Sequence, residues 1–346
     1  MQDQKKNILI TGGAGFIGSN YVNLFAGQDN FRLVNLDLLT YAGDLGNINV
    51  NESDDYVFIQ GDICDKELLG ELFEKYRFEQ VVNFAAESHV DNSILDPSAF
   101  VETNISGTFN LLQQAYNLWM DGPFTLKQEF SSARFLHIST DEVYGTLGKE
   151  GLFSEETPYA PNSPYSASKA ASDFLVRSYF HTYGLPVLTT NCSNNYGPNQ
   201  HDEKLIPTII RTAIREESIP IYGDGKNIRD WLYVTDHCQG INLVLQKGEL
   251  GETYNIGGRN ERENIYIARE ICKILDRLKP RETGNSYLDL ITFVKDRPGH
   301  DKRYAIDATK IESELGWEAA ENFESGIEKT IQWYLEKYEV QNQELK

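Results

Sequence analysis

The sequence has 346 residues, of which 40% are hydrophobic and 24% charged, a composition typical of a globular protein in water. Its formal net charge of -20 argues against nucleic acid as a partner, because phosphate binding requires a basic surface. With no run of about 18 apolar residues, no signal peptide before the first predicted strand and four scattered cysteines, we expect a cytoplasmic protein with reduced thiols, no metal site and no membrane partner.

Predicted strands and helices alternate through the first half of the chain. Short apolar runs predict strands over 7–11, 31–37, 56–62, 80–86, 134–140 and 186–191, with helical patterns such as 16–27 and 99–118 between them. Strands that are apolar throughout belong to a parallel sheet covered on both faces. Right-handed crossovers then give an α/β fold, a Rossmann-type doubly wound parallel sheet.

Loops rich in Asn, Pro and Gly dominate the chain after about residue 190. Further strands are predicted over 231–237 and 252–258, and further helices over 263–278 and 323–338. The pattern indicates a smaller C-terminal substrate domain that is interleaved in sequence with the first. We assign residues 1–190, with return segments at about 231–258, to the Rossmann domain, and 191–230 with 259–346 to the second domain.

A glycine-rich turn joins the first predicted strand to the first predicted helix. Gly12, Gly15 and Gly18 give the spacing GxxGxxG, a variant of the dinucleotide-binding fingerprint. Glycines allow the backbone to approach a pyrophosphate, which then lies at the N-terminus of the helix. Asp37 ends the second strand, where a carboxylate accepts from ribose hydroxyls and repels the extra phosphate of NADP. The sequence therefore predicts bound NAD, and Asp62 after the third strand either contacts the adenine or caps a helix.

Tyr165 and Lys169 lie four residues apart at the start of a helical stretch that runs to about Tyr183. This spacing places both side chains on one helical face. A tyrosine hydroxyl has an ordinary pKa of about 10, and a nearby ammonium group stabilises the phenolate and lowers that value. The pair therefore predicts a general base that works near neutral pH.

Together, the glycine turn and the Tyr165–Lys169 pair resemble the motifs of the extended short-chain dehydrogenase/reductase family. That family also places a Ser or Thr at the end of an upstream strand, and Thr140 occupies this position here. By this resemblance, the hydroxyl of Thr140 would hydrogen-bond the substrate oxygen that Tyr165 deprotonates.

Asp141 and Glu142 follow Thr140 directly and bear on which chemistry the family member performs. Epimerisation of a sugar needs only the tyrosine, the lysine and a hydroxyl residue. Removal of water also needs a base for the C5 proton and an acid for the C6 hydroxyl, and two adjacent carboxyl groups supply both if one stays protonated. The same acids could instead cap a helix. The catalytic interpretation requires the chain to leave the strand at Thr140, because successive strand residues face opposite sides.

A resemblance along most of the chain favours dehydration. From NILITGGAGFIGSN to Gly316-Trp317 the sequence is similar to the dTDP-glucose 4,6-dehydratase family, through segments that include HISTDEVYG, SPYSASKAASD, NIRDWLYVTDH and DRPGHDKRYAID. The resemblance implies that Tyr165 deprotonates the 4-hydroxyl while hydride passes to NAD, Glu142 removes the C5 proton and Asp141 protonates the departing C6 hydroxyl. Hydride then returns to C6, so we expect NAD to stay bound and to co-purify.

The same resemblance implies the residues that contact each ligand. Besides Tyr165 and Lys169, cofactor contacts are expected from Gly12, Gly15, Phe16, Ile17, Gly18, Asp37, Leu38, Thr40, Asp62, Ile63, Ala85, Ala86, Thr103 and Asn195. Besides Thr140, contacts to the nucleotide sugar are expected from Ser88, Asn194, Lys204, Leu205, Pro220, Tyr222, Arg229, Asn264, Asp296, Arg297 and His300. Lys204, Arg229 and Arg297 form the expected anion clamp, which must attract a diphosphate against the negative charge of the whole chain.

Several other interpretations of the site residues stay open. The substrate could be a UDP-, GDP- or CDP-sugar, and the enzyme could be an epimerase or a decarboxylase, although Asp141 and Glu142 disfavour both of these. A protein that binds NAD without catalysis would not need Thr140, Tyr165 and Lys169 together. The product could enter the synthesis of rhamnose, another deoxysugar or an antibiotic sugar.

The family also implies a homodimer. Helices predicted over 99–118 and 165–183 would form the interface, with apolar residues such as Phe109, Leu112 and Ala115 facing the partner.

Overall fold

The computed structural model describes residues 5–28, 31–296 and 300–344, without the side chains of 341–344. Its strands are β1 (Lys6–Thr11), β2 (Phe31–Asp37), β3 (Tyr56–Gln60), β4 (Gln80–Asn83), β5 (Met120–Gly122), β6 (Thr125–Leu126), β7 (Arg134–Thr140), β8 (Val187–Cys192), β9 (Asn194–Tyr196), β10 (Ile219–Tyr222), β11 (Ile228–Tyr233), β12 (Thr253–Ile256), β13 (Glu261–Glu263) and β14 (Ile291–Val294). Its α-helices are α1 (Phe16–Phe25), α2 (Lys66–Tyr76), α3 (Val90–Leu95), α4 (Ser98–Phe100), α5 (Thr108–Trp119), α6 (Pro164–Tyr183), α7 (Leu205–Ile214), α8 (Val234–Lys247), α9 (Asn264–Leu278), α10 (Thr309–Leu315) and α11 (Phe323–Glu344).

A seven-stranded sheet forms the centre of the molecule, in the order β12-β8-β7-β4-β1-β2-β3. Every pairing within it is parallel. The chain starts in the middle at β1, winds outward through β3, and then returns to build the other half from β4. This order confirms the predicted Rossmann-type fold, and it places a ligand crevice at the carboxyl ends of β1 and β4.

Helices cover both faces of the sheet. Neighbouring strand residues point to opposite faces, and the apolar residues on each face are buried by helices. Ile8 and Ile10 pack in one core with residues of α1 and α8. Leu9, between them, packs on the other side with residues of α2, α5 and α6. Strands that are buried on both faces carry near-continuous apolar sequence, as the pattern predicted.

Helices α7, α9 and α11 enclose a separate hydrophobic core, which includes Ile209, Ile271 and Ile327. Beside it lie the parallel pair β10–β14 and a three-stranded sheet in the order β13-β11-β9. Between these pieces the chain returns to the large sheet, where α8 covers one face and β12 adds the strand next to β8. None of the helices within the described ranges has the length and apolar character to cross a membrane.

Two predicted elements differ in the structure. The strand predicted over 231–237 ends at Tyr233, and α8 begins at Val234; a short apolar run does not distinguish a strand from the start of a buried helix. The helix predicted over 99–118 contains a π-helical segment, Val101–Gly107. Such segments shift the register of side chains within a helix and are frequent near functional sites.

Candidate active site

The turn after β1 has no room for a side chain at Gly12 or Gly18. Gly12 has a φ of +71°, and a Cβ atom there would lie 2.6 Å from the backbone nitrogen of Ala85. A Cβ atom at Gly18 would collide with the carbonyl of Gly12. Helix α1 begins at Phe16 with Gly15 as its N-cap, and no side chain caps its first turn. The backbone can therefore approach a pyrophosphate closely, with the positive end of the helix dipole directed at it.

Asp37 lies at the end of β2 and is buried. Its Oδ2 accepts from the backbone nitrogen of Ala14 at 2.8 Å, and its Oδ1 accepts from that of Leu39 at 2.8 Å. Each carboxylate oxygen keeps further lone pairs, so the group can still accept from ribose hydroxyls. Leu38 and Thr40 are exposed beside it. These positions suit the adenosine half of NAD, and the carboxylate disfavours a 2′-phosphate.

Four other expected cofactor residues lie near the carboxyl ends of the strands. Ala85 and Ala86 follow β4, and the backbone nitrogen of Ala85 lies against Gly12. Thr103 is half-buried in the π-helical segment. Asn195 is buried on β9, where its Oδ1 lies 2.9 Å from Nδ1 of His237.

The structure limits how two residues after β3 could contact a cofactor. The side chain of Ile63 is 5% exposed and packs in the hydrophobic core, so only its backbone can face a ligand. Asp62 does not cap α2, because the N-cap is Asp65, which accepts from two backbone nitrogens of the first turn. The Oδ1 of Asp62 instead accepts from the backbone nitrogen of Cys64 at 2.8 Å.

Helix α6 carries Tyr165 and Lys169 in its first two turns. Ser163 and Ser166 form a capping box at its N-terminus, with Pro164 at the first helical position. Rigid capping fixes the first turn, where Tyr165 lies. Both Tyr165 and Lys169 point toward the end of β7, and the Nζ of Lys169 donates to the carbonyl oxygen of Ile138 at 2.7 Å.

The pKa of Tyr165 is raised well above its ordinary value, opposite to the predicted direction. Burial is the main cause and Glu142 the next, while a hydrogen bond with the hydroxyl of Thr140 opposes them. The ammonium group of Lys169 donates to the carbonyl oxygen of Ile138, and it is not among the main causes of the shift in the pKa of Tyr165. Spacing alone could not reveal this competing acceptor.

The chain leaves the sheet where the catalytic interpretation requires. Strand β7 ends at Thr140, and a 3₁₀ helix over Asp141–Tyr144 follows at once. The hydroxyl of Thr140 accepts from the backbone nitrogen of Glu142 at 3.3 Å and so caps this turn. The capping group is therefore Thr140, and the two carboxyl groups remain for other interactions.

Asp141 is 2% exposed, and its Oδ2 has no hydrogen-bond partner among the described residues. Burial raises the pKa of this carboxyl group well above its ordinary value, and the charges of Glu142 and Asp230 raise it further, against the opposing effect of Arg229. A buried carboxyl group beside other acids holds its proton to higher pH than an exposed one, which is the property that a general acid requires.

Arg229 and Lys204, two members of the expected anion clamp, lie on different elements. Arg229 on β11 is buried, with its guanidinium group 4.2 Å from the centre of the Tyr304 ring and one nitrogen donating to the carbonyl of Asp301 at 2.9 Å. The Nζ of Lys204 donates to the carbonyl of Ser88 at 3.0 Å. The third member, Arg297, lies outside the described residues.

Other residues expected to contact the nucleotide sugar lie on β10, after β14 and at the start of α7. Pro220 and Tyr222 share the exposed face of β10. The Tyr222 ring meets the ring of His300 edge-on with the centres 6.4 Å apart, and Nδ1 of His300 lies 2.7 Å from Oδ1 of Asp296. Leu205 begins α7 directly after Lys204.

Two asparagine side chains have unused acceptors near these groups. The Oδ1 atoms of Asn194 on β9 and Asn264 at the start of α9 are buried and make no hydrogen bond with any described residue. Buried acceptors of this kind are costly unless a ligand or water donates to them. They suit a ligand rich in hydroxyl groups. By contrast, no group of three or more His, Cys, Asp and Glu in the described part of the chain could hold a metal ion.

Comparison with known proteins decides the family. The family model described as GDP-mannose 4,6 dehydratase matches residues 9–330. A dTDP-glucose 4,6-dehydratase from Xanthomonas campestris pv. campestris is 57% identical over 328 residues, which cover 94% of this chain and 92% of that relative. The chain belongs to the dTDP-glucose 4,6-dehydratase family. Among solved structures, the dTDP-glucose 4,6-dehydratase DesIV from Streptomyces venezuelae, with NAD and TYD bound, is 42% identical, with a TM-score of 0.87 and coverage of 96% of this chain and 98% of that one.

The same fold also serves epimerases. The UDP-glucose 4-epimerase from Thermotoga maritima, solved with UDP-glucose, is 26% identical and has a TM-score of 0.83, with coverage of 96% of this chain and 99% of that one. Overall shape therefore does not distinguish a 4,6-dehydratase from an epimerase. Removal of water needs an acid and a base that epimerisation does not need, and two acidic residues follow β7 here.

Sequence reasoning missed one residue of this dehydratase site. Tyr304 is buried under the guanidinium group of Arg229, and the charge of Glu142 is among the causes that raise its pKa. It therefore lies between the anion clamp and the acid pair. Tyr304 belongs to the segment DRPGHDKRYAID. No local spacing connects this tyrosine with an arginine on a distant strand.

Proposed function

We propose that the protein removes water from dTDP-glucose and yields dTDP-4-keto-6-deoxyglucose, with NAD regenerated in each cycle. The observation that carries this proposal is the turn after β7, where Asp141 and Glu142 leave the sheet beside Thr140 and Tyr165. Burial raises the pKa of Asp141, and the charge of Glu142 is among the causes that raise the pKa of Tyr165. An epimerase has no step that needs such a pair.

The residues of the glycine turn fit NAD. Gly12 and Gly18 would hold the pyrophosphate, Asp37 would hold the adenosine ribose, and Lys169 would donate to the ribose next to the nicotinamide. When bound, NAD supplies the chemistry of accepting hydride from C4 of the sugar and returning it to C6. The relative DesIV was solved with NAD bound, which supports the same cofactor here.

The side chains divide the proton transfers among themselves. Tyr165, hydrogen-bonded to Thr140, would take the proton of the 4-hydroxyl. Oxidation at C4 makes the C5 proton acidic, and Glu142 would remove it. The protonated carboxyl group of Asp141 would then donate to the C6 hydroxyl, which departs as water. Glu142 would finally return a proton to C5.

Incubation with dTDP-glucose tests the proposal. We expect a product lighter by one water molecule, detected by mass spectrometry and by the chromophore that 4-keto-6-deoxy sugars form in alkali. We also expect denatured protein to release NAD, with no stoichiometric release of a nicotinamide product during turnover. UDP-, GDP- and CDP-glucose serve as matched controls, and faster conversion of any of them would contradict the nucleotide assignment.

Arg229→Ala is expected to weaken binding of dTDP-glucose about 10- to 100-fold, because a charge-assisted hydrogen bond contributes about 1.5–3 kcal/mol. Binding of NAD should change far less. Calorimetric titration with dTDP, and NAD content after purification, measure the two effects separately. Equal loss of both would contradict the clamp assignment.

Arg229→Lys is the matched control for this prediction. It keeps the positive charge but loses the planar fork that pairs with two phosphate oxygens and stacks on Tyr304. We expect an affinity for dTDP between those of the native protein and the alanine variant.

We further propose a homodimer built on the helices α5 and α6. Val101, Phe109 and Phe174 are 52%, 38% and 58% exposed, which is unusual for large apolar side chains on neighbouring helices. Leu112 and Ala115, also expected at this surface, are instead fully buried in the core. Light scattering of the purified protein tests the dimer, and a monomeric mass would exclude it.

Three further expectations form part of the proposal. The Rossmann domain would comprise 1–190 with about 231–258, and the substrate domain 191–230 with 259–346. The four cysteines are free thiols, which suits the reducing cytoplasm. The keto sugar would supply deoxysugar synthesis, with rhamnose as one destination. Limited proteolysis, cell fractionation and deletion of the gene with sugar analysis test these expectations.

A further inference from the structure

Helix α6 carries three functional groups in one stripe. Tyr165, Lys169 and Asp173 follow each other at intervals of four residues, the spacing at which helical side chains are neighbours. Lys169 is 3% exposed and Asp173 is 5% exposed. The proposed reaction assigns roles to the first two residues but none to the buried aspartate.

Asp173 makes contacts on both of its oxygens. Its Oδ2 accepts from the hydroxyl of Ser139 at 2.8 Å and from that of Tyr159 at 3.0 Å. Its Oδ1 lies 3.3 Å from Nε2 of His137 on β7. The same Nε2 lies 3.5 Å from the Nζ of Lys169. His137 therefore lies in contact with both the aspartate and the lysine.

Asn83 fixes the protonation pattern of His137. The Oδ1 of Asn83 accepts from the hydroxyl of Thr11 at 2.7 Å, which leaves its Nδ2 as the donor to Nδ1 of His137 at 3.2 Å. An Nδ1 that accepts requires the hydrogen of the neutral imidazole to be on Nε2, the nitrogen that lies near both Asp173 and Lys169. Burial, followed by the charge of Lys169, lowers the pKa of His137 to about 4, so the ring is neutral at physiological pH.

Burial of Lys169 disfavours the charged form of its ammonium group. Desolvation lowers the pKa of the ammonium group to about 8, and Asp173 is the first of the groups that oppose this fall. The other titratable groups around the lysine within the described part of the chain are His137 on β7, which is neutral, Cys192 on β8, whose thiol pKa burial raises to about 12, and Tyr165. Asp173 is therefore the group that supplies negative charge near the lysine.

We propose that Asp173 and His137 form a buried pair that orients Lys169 and keeps its ammonium group charged. Both are positioning residues, since neither is placed to touch substrate or cofactor. Asp173 supplies the compensating charge and is held by the hydroxyl donors Ser139 and Tyr159. The ring of His137 lies between the other carboxylate oxygen and the ammonium group of Lys169. The proposal rests on the proposed function for the role of Lys169, but the charge state of that lysine can be measured independently of catalysis.

Asp173→Asn tests the pair. Loss of the negative charge disfavours the ammonium form, so the pKa of Lys169 should fall and activity should decline at lower pH than in the native protein. We expect the alkaline limb of the kcat profile to move down by about one pH unit or more, with little change in KM. The pH dependence of trace acetylation of Lys169, followed by peptide mass spectrometry, should show the same shift.

Matched variants separate charge from structure. Tyr159→Phe removes a hydrogen bond from the same carboxylate without changing its charge, and its alkaline limb should stay in place. His137→Gln should shift the limb in the same direction by less, and it provides the test if Asp173→Asn does not fold. Asp173→Glu should keep the limb while kcat falls.

The proposal would be overturned if both the alkaline limb and the acetylation midpoint stayed unchanged in Asp173→Asn and His137→Gln. This holds even if the melting temperatures of these variants fall. Absence of dehydration by the native protein at every pH would instead refute the proposed function. The acetylation midpoint would still report on the charge of Lys169 in that case, so the two failures are distinguishable.

Discussion

Glu142→Gln is expected to lower the rate of water loss from dTDP-glucose by about 10²–10⁴-fold, the range typical of removing a general base. Gln has the shape of Glu but cannot accept a proton. The turn after β7 should persist, because its cap is the hydroxyl of Thr140 on the backbone nitrogen of residue 142, which the substitution keeps. The alkali-induced chromophore of the product measures the rate.

Asp141→Asn is expected to lower the same rate by a similar factor, for a different reason. In the proposed mechanism the buried carboxyl group of Asp141 donates the proton to the C6 hydroxyl, and an amide does not replace it. Glu142 is still present, so the C5 proton should continue to be removed and returned. In D₂O, dTDP-glucose recovered from Asp141→Asn should therefore carry deuterium at C5, whereas that from Glu142→Gln should not.

This contrast separates the roles of the two acids. Deuterium at C5 with Glu142→Gln, and none with Asp141→Asn, would show that the assignments are reversed. Glu129→Gln is the control, since Glu129 is exposed and forms an ion pair with Arg77. It lies before the amino end of β7, whereas the two acids follow the carboxyl end of that strand. Its rate should equal that of the native protein.

Strong periodic and apolar signals made the fold predictable. Strand β7 has the same bounds in sequence and structure, 134–140, because an apolar run of that length beside helical patterns has few alternatives in a doubly wound sheet. The glycine turn was predictable for a similar reason, since at Gly12 and Gly18 backbone contacts exclude any larger residue. These features are local in the chain.

Features that depend on contacts between distant segments were not predictable. Tyr304 lies over Arg229 through tertiary packing, and Ile63 enters the core because Gly107 leaves space for its side chain. The pKa of Tyr165 depends on burial and on Glu142, which a sequence motif does not describe. The buried pair of Asp173 and His137 could be recognised only once the position of β7 relative to α6 was known.

Electrostatics also explain how an acidic chain keeps a site for an anion. The net charge of -20 is distributed over the whole sequence, but the charge effects at the site come from a few buried groups. The raised pKa of Asp141 favours its neutral form, which does not repel a diphosphate, and the buried Arg229 acts on the same carboxyl group. Low local dielectric strengthens such short-range interactions relative to the screened field of the surface.

Tyr165→Phe is expected to lower the rates of both water loss and C5 exchange by about 10²–10⁴-fold. The tyrosine acts in the first step, so the C5 proton never becomes acidic when its hydroxyl is absent. Loss of exchange therefore distinguishes this variant from Asp141→Asn. NAD content should stay close to the native value, because the glycine turn, Asp37 and Lys169 remain.

Tyr183→Phe on the same helix is the matched control, since Tyr183 contacts Tyr116 and Tyr179 at the far end of α6 and should leave both rates unchanged. Persistent C5 exchange in Tyr165→Phe would show that another group deprotonates the 4-hydroxyl. Thr140 would be the first candidate, because its hydroxyl is already hydrogen-bonded to the tyrosine. The double variant Thr140→Ala with Tyr165→Phe would then lose the exchange that the single variant kept.

A tyrosine whose pKa is raised by burial must be deprotonated in the complex to act as a base, so the native rate should rise with pH before it falls through the pKa of Lys169 at about 8.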